Sequence, residues 1–324
     1  MSNSRYLSIL NEIKKKGGSV DFQNTNKKVL IVDGLNTFIR VFSVMPTLNE
    51  NGVHVGGIVG FLKSVGFAIN MFNPTRTIIV FDGKGGSNRR RKLYSDYKNK
   101  RRTSYRVNRV AGLENVEDER RNMLMQLRRV ADYLELLPLT TISVDGIEAD
   151  DAIATAVSKF KNKVERIIIG SPDKDLAQCV EGEKVVMWST RNKEYTNEQG
   201  VRDKFGVNPN QIPDYLALAG DVSDGIPGIK GVGPKTASFL ISKYGDIHSI
   251  YKNSSDWEGE VRGGKKIREL LNSNFNEIIL FKDLATLRTD VPLSSNINEL
   301  KPKTIDRVKI NKLSKELGFE NFTY

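Results

Sequence analysis

Val29-Leu30-Ile31-Val32-Asp33-Gly34 reads as a short strand with no polar face that ends on an acid. Four consecutive apolar residues must be covered on both sides, which is the situation of a strand inside a parallel sheet. Three later stretches repeat the pattern. Thr77-Ile78-Ile79-Val80-Phe81 leads into Asp82, Thr141-Ile142-Ser143-Val144 precedes Glu148, and Ile167-Ile168-Ile169 precedes Asp173. Helical periodicities lie between them. Gly56 to Phe72 carries Ile58, Phe61, Leu62, Val65 and Ile69 on one face, and about 118–136 carries Met123, Leu127, Val130 and Leu134. This alternation predicts an α/β core, with a mostly parallel central sheet flanked by helices, over residues 28–205. From 206 to 324 the pattern is helical, with segments at Pro209–Ala219, Gly228–Tyr244, Val261–Leu271 and Phe275–Leu287 and no strand run after about 195. Residues 1–27 read as an N-terminal extension, a short helix-spaced stretch followed by lysines and Gly17-Gly18.

Strands of a parallel sheet present their carboxyl ends at one edge, where such folds bind ligands. The acids that follow the four strands should therefore converge: Asp33; Asp82; Glu148, Asp150 and Asp151; Asp173 and Asp175. Asp221 and Asp224 follow at the start of the helical region. Nine carboxylates cannot all be ionised in one cleft without hard cations. A magnesium site with room for more than one ion is the expectation, with Mn2+ as a substitute. Glu148 and Asp151, three apart, share a helix face, while Asp150 points roughly 100° away.

Composition narrows the chemistry. The 324 residues include two histidines, His54 and His248, and one cysteine, Cys179. That argues against a zinc hydrolase, a histidine-based triad and an internal disulfide. Both histidines read as incidental and Cys179 as a packed thiol. No stretch approaches the roughly 18 apolar residues of a membrane span, and the amino end lacks a secretory h-region, so a reducing cytoplasm and no membrane partner are expected. The net charge of +11 around an acidic pocket suits an enzyme acting on a polyanion.

Two further segments point to nucleic acid. Gly220-Asp221-Val222-Ser223-Asp224-Gly225-Ile226-Pro227-Gly228-Ile229-Lys230-Gly231-Val232-Gly233-Pro234-Lys235-Thr236-Ala237 places a glycine turn before a helix, where backbone amides and the helix N-terminus can meet a phosphate. Lys230 and Lys235 add charge. Residues 84–110 hold eleven lysines and arginines, among them Arg90, Lys98 and Arg101, interleaved with Tyr94, Tyr97 and Tyr105. Cations there can neutralise phosphates and rings can stack on unpaired bases.

Taken together these motifs resemble the flap endonuclease, or 5′-nuclease, family, nearest to bacteriophage 5′-3′ exonucleases and the N-terminal nuclease domain of bacterial DNA polymerase I. The resemblance spans about residues 28–290. Its most specific part is the Gly220–Ala237 string, which looks like the family's helix–three-turn–helix, here at about 220–244. It implies a PIN-like nuclease core with a helical arch at about 84–110, in which Tyr97-Lys98-Asn99-Lys100-Arg101 looks like the arch motif. Asp33, Asp82 and Asp150 become catalytic ligands, and Lys98 and Arg101 contact the scissile phosphate. DNA contacts fall on Tyr97, Lys98, Arg101, Lys230, Gly231, Val232, Gly233, Lys235 and Thr236, with K+ in the turn near Val232. The implied activity is two-metal, structure-specific 5′-3′ exonuclease and flap endonuclease cleavage of DNA and of RNA primers on DNA, an RNase H-like removal in replication or repair. The implied partners are flap, nicked or 5′-ended duplex DNA and RNA–DNA hybrid, with a single-strand-binding protein or sliding clamp as further candidates. The protein is expected as a monomer in a bacterial or phage-infected cell. Two other readings stand beside it: a PIN-type single-strand ribonuclease, and a catalytically inactive junction-binding protein.

Overall fold

The computed structural model describes residues 27–99, 108, 115–189, 192–294, 296–299 and 307–316. Most of the amino-terminal extension, Arg101 and Tyr105 lie outside the described residues. Six strands form one sheet: β1 (Lys28–Asp33), β2 (Arg76–Asp82), β3 (Thr140–Val144), β4 (Arg166–Gly170), β5 (Val185–Ser189) and β6 (Glu194–Thr196). Their order is β3-β2-β1-β4-β5-β6, parallel except for the β5–β6 pair. The order reverses between β1 and β4, so a crevice opens beyond the carboxyl ends of those two strands.

Successive strand residues point to opposite faces, and both faces are covered. Val29, Ile31, Ile78, Val80, Ile167 and Ile169 enter one apolar core, while Leu30, Val32, Ile79 and Ile168 enter the other. This two-sided burial is why the strands read as unbroken apolar runs. The second core is closed by α1 (Gly34–Phe42), α2 (Gly56–Phe72) and α4 (Val116–Leu136); α3 (Asn88–Leu93) sits at the start of the basic segment. The first core is closed by α5 (Ala149–Phe160) and extends into the helical region.

That region comprises α6 (Glu198–Phe205), α7 (Ile212–Ala219), α8 (Pro234–Tyr244), α9 (Ile247–Lys252), α10 (Ser254–Trp257), α11 (Gly264–Ser273), α12 (Phe275–Ala285) and α13 (Arg307–Glu316). The helix expected from Gly228 begins only at Pro234. Gly228 and Gly231 hold φ of +66° and +93°, which bars a helix there, and Pro234 sets the first helical position. Helix α13 turns back to the sheet domain and packs on α4, burying Ile310 and Leu313 in the second core. Among the described residues no helix is long and apolar enough to cross a membrane. Beyond the strands read from the sequence, the structure adds α1, β5 and β6. β6 is a three-residue antiparallel edge too short for a periodic signal.

Candidate functional site

The acids at the strand ends are placed by local capping. Asp33 closes β1 and caps α1, its Oδ1 accepting from the Asn36 amide at 3.1 Å while Oδ2 accepts from Ser171 Oγ at 3.1 Å. Asp82 closes β2 and accepts from the Ala149 amide at 3.0 Å, so one strand end fixes the start of α5 on the neighbouring crossover. Asp33, Asp82, Asp150 and Asp173 line one cleft of about 320 Å³, together with Lys98 and Arg40. Beside it Asp175, Asp221 and Asp224, all buried, bring carboxylate oxygens within 4.8 Å of one another.

The two groups repel ionisation in different degrees. Burial, reinforced by Asp173 and Asp82, pushes Asp33 up to about 7. Asp150 is driven well above the carboxylate range by burial, with Asp173 and Asp33 adding to it, and Asp175 likewise by burial and Asp173. Burial opposes ionisation of Asp221 as well, but Ser223 and Lys174 outweigh it and hold that carboxyl below its ordinary value. Its Oδ1 accepts from Ser223 Oγ at 2.6 Å and from Lys174 Nζ at 2.9 Å. Asp175 Oδ1 is buried with no hydrogen-bond partner. Crowded, all-oxygen and partly unsatisfied, this donor set fits hard divalent cations.

Glu148 and Asp151 do share a helix face, as their spacing predicts, but what they share is a cation. Arg90 is buried and reaches both: Nη2 to Asp151 Oδ1 at 2.7 Å, Nη1 to Asp151 Oδ2 at 2.8 Å, and Nη1 also to Glu148 Oε2. The Arg288 amide completes Asp151 at 2.9 Å. In this structure Asp151 is the acid half of a buried ion pair. Glu148 is bound on both oxygens, since Lys98 Nζ takes Oε1 at 2.5 Å. Burial works against its ionisation, yet Lys98 and Arg90 hold its pKa below the usual value.

The basic segment also differs from expectation. Tyr97, expected to contact DNA, is 2% exposed and cannot stack on a base. Tyr94 packs edge-on against Phe281, ring centres 5.6 Å apart. Arg90, one of the cations expected to face phosphate, is buried instead. A basic and aromatic alternation looks the same whether it faces solvent or a buried carboxylate. Lys98 lies in a turn at φ +54°, not on a helix, although a helical arch is expected at about 84–110. Its ammonium is at the cleft, 11% exposed.

In the hairpin, Lys230, Gly231, Gly233 and Lys235 are exposed and Thr236 is partly so. The Val232 side chain is buried, which leaves only backbone for a ligand there. A β-carbon on Gly233 would meet nothing within 4 Å, so packing alone does not require glycine. His54 is fixed inside the fold, with Nε2 2.7 Å from Met45 O and Nδ1 3.1 Å from Gln126 Nε2. Burial pushes the Cys179 thiol up to about 12, which leaves it inert. Arg40 is the cleft residue that the sequence reading missed. It follows Asp33 by seven residues on α1 and belongs to no motif that marks it.

Two family models match the chain: the 5′-3′ exonuclease N-terminal resolvase-like domain over residues 28–206, and the 5′-3′ exonuclease C-terminal SAM fold over residues 207–308. A 5′-3′ exonuclease of Aquifex aeolicus is 35% identical over 292 residues, covering 90% of this chain and 91% of that protein. DNA polymerase I of Caldicellulosiruptor bescii is 30% identical over 91% of this chain, which spans only 33% of that longer protein. Among solved structures, the bacteriophage T5 flap endonuclease in a complex with DNA and metal ions superposes with a TM-score of 0.67 at 20% identity, covering 90% of this chain and 98% of that one.

Proposed function

The chain belongs to the 5′-3′ exonuclease family, and from that premise we propose that it is a Mg2+-dependent nuclease cutting flap, nicked or 5′-ended duplex DNA and RNA primers annealed to DNA. The observation that carries this reading is the meeting of two carboxylate groups, one at the sheet's switch point and one on the loop that leads into a glycine hairpin. Asp33, Asp82, Asp150 and Asp173 would hold one ion, and Asp175, Asp221 and Asp224 a second. Bound there, such ions lower the pKa of an attacking water and stabilise the leaving oxygen. Potassium at the turn near Val232 belongs to the same reading. Product mapping on a labelled 5′-flap, with Mg2+ present and absent and unstructured RNA as the comparison substrate, tests it. Cleavage of RNA in preference to the flap would overturn it.

Lys98 supplies what the carboxylates cannot, a cation at the mouth of the cleft. Held by Glu148, it is preorganised for charge that builds on a phosphate in the transition state, a service worth roughly 3–4 kcal/mol, or about 100- to 1000-fold in rate. Lys98→Ala is expected to slow single-turnover cleavage by about that factor with little loss of duplex affinity. A rate within threefold of wild type would return Lys98 to the role of a mere counter-ion for Glu148.

The hairpin anchors the duplex through backbone amides. Because Gly233 has open space around its missing β-carbon, Gly233→Val is expected to fold normally yet weaken binding to duplex DNA more than to a short single strand. Fluorescence anisotropy on both substrates checks it, and equal losses would remove the hairpin from duplex recognition.

A further inference from the structure

Tyr97 links an acid of the second carboxylate group to Glu148, the residue that precedes α5. Tyr97 Oη lies 2.9 Å from Asp224 Oδ2 and 3.3 Å from Glu148 Oε2. A phenol has one proton, so the shorter contact to Asp224 is the hydrogen bond and Glu148 receives the weaker share, its Oε2 being already met by Arg90. The surrounding backbone is joined in the same place. The Lys98 amide donates to Asp224 O at 2.9 Å, and the Asp221–Ile226 loop is closed on itself by reciprocal amide bonds of 2.7 and 2.8 Å. At Gly225, φ +75°, a β-carbon would lie 2.6 Å from Asp96 O, so the turn and the loop leave no room for a side chain between them.

We propose that the Tyr97 hydroxyl is a positioning group that fixes Asp224 against the N-terminus of α5 and so sets the geometry of the second ion site. The inference rests on the reading of these acids as metal ligands. Tyrosine suits the task better than a cation. Its hydroxyl, buried between Asp224 and Glu148, is an uncharged donor. It orients a carboxylate oxygen without adding to the positive charge of Lys98 Nζ, which already lies 3.7 Å from the same Asp224 Oδ2. Partners that orient ligands in this way typically control metal affinity by roughly 10- to 100-fold.

The test is Tyr97→Phe, which keeps the buried ring and deletes only the hydroxyl. Isothermal titration with Mn2+ gives the dissociation constants, and single-turnover flap cleavage is followed against Mn2+ concentration. The expected result is one dissociation constant raised about tenfold or more and the other little changed. Raised Mn2+ then restores most of the rate, and the melting temperature of the metal-free protein stays close to wild type. Tyr94→Phe, whose ring packs on Phe281, is expected to leave both constants alone. Two constants within twofold of wild type would overturn the proposal, as would a Tyr97→Phe protein that fails to fold, since the hydroxyl would then serve the fold. A wild-type protein that binds fewer than two Mn2+ fails the underlying metal assignment itself and takes the proposal with it.

Discussion

Asp150→Asn is expected to abolish flap cleavage, by about 1000-fold or more, corresponding to at least about 4 kcal/mol of lost transition-state stabilisation. Flap-DNA binding should be retained or strengthened, because a negative charge facing phosphate is removed. The same substitution should stabilise the metal-free protein. Burial, Asp173 and Asp33 all disfavour the ionised form of Asp150, so its pKa is raised on folding. The sign follows from linkage: a group that holds its proton more tightly when folded favours folding at low pH, and that contribution is lost as pH rises through the folded value. Asp33 behaves alike, with its window extending up to about 7. Near neutral pH the metal-free cleft therefore weakens the fold, and a neutral amide at position 150 relieves part of the strain. Single-turnover rates under excess enzyme and metal-free melting curves at pH 5 and 8 check the two halves. Unchanged turnover would sink the ligand assignment, and an unchanged melting temperature at pH 8 would sink the electrostatic one.

Arg90→Ala is expected to cost about 3–5 kcal/mol of stability, the typical effect of removing one partner from a buried ion pair. The guanidinium bonds Glu148 and Asp151, and also donates from Nε to Leu284 O at 2.9 Å and from Nη2 to Thr286 O at 3.2 Å. Truncation would leave two buried carboxylates and the carboxyl end of α12 without their donor. Arg90→Lys should recover little, since an ammonium cannot span a bidentate acid and two carbonyls at once. Urea denaturation measures the loss. A stable Arg90→Ala protein with salt-dependent loss of DNA affinity would restore Arg90 to the nucleic-acid surface, where its sequence neighbours suggest it belongs.

That contrast shows what the sequence holds and what it hides. Strands β1, β2 and β4 are legible because burial on both faces leaves each of them a run of apolar residues, and β3 by its alternation, and parallel pairing then puts Asp33, Asp82, Asp150 and Asp173 at one edge. The i, i+3 relation of Glu148 and Asp151 is legible too, as helix geometry. Their partner is not, because Arg90 lies 58 residues before Glu148 and only the tertiary fold brings it near. Tyr97 misleads for the same reason, its neighbours being cations and its contacts being acids 51 and 127 residues away. Val185-Val186-Met187-Trp188 of β5 is the same kind of buried apolar run, whereas three-residue β6 needed the fold itself to be seen. The domain change near residue 205 shows as the end of strand-like runs, a change of period and not of composition.

Helix α13 has a mechanical consequence. The helical region leaves the sheet domain through α6 and α7, and its far end is pinned again where Ile310 and Leu313 sit in the core beneath α4. Together with the shared first core, this second anchor makes the helical region a bracket and not a pivot. The hairpin would, on the proposed reading, grip a duplex and the cleft receive its 5′ end from one frame, like the fixed jaws of a gauge. On the proposed reading, the place of the cut is measured by the protein's own span, with no reading of bases needed.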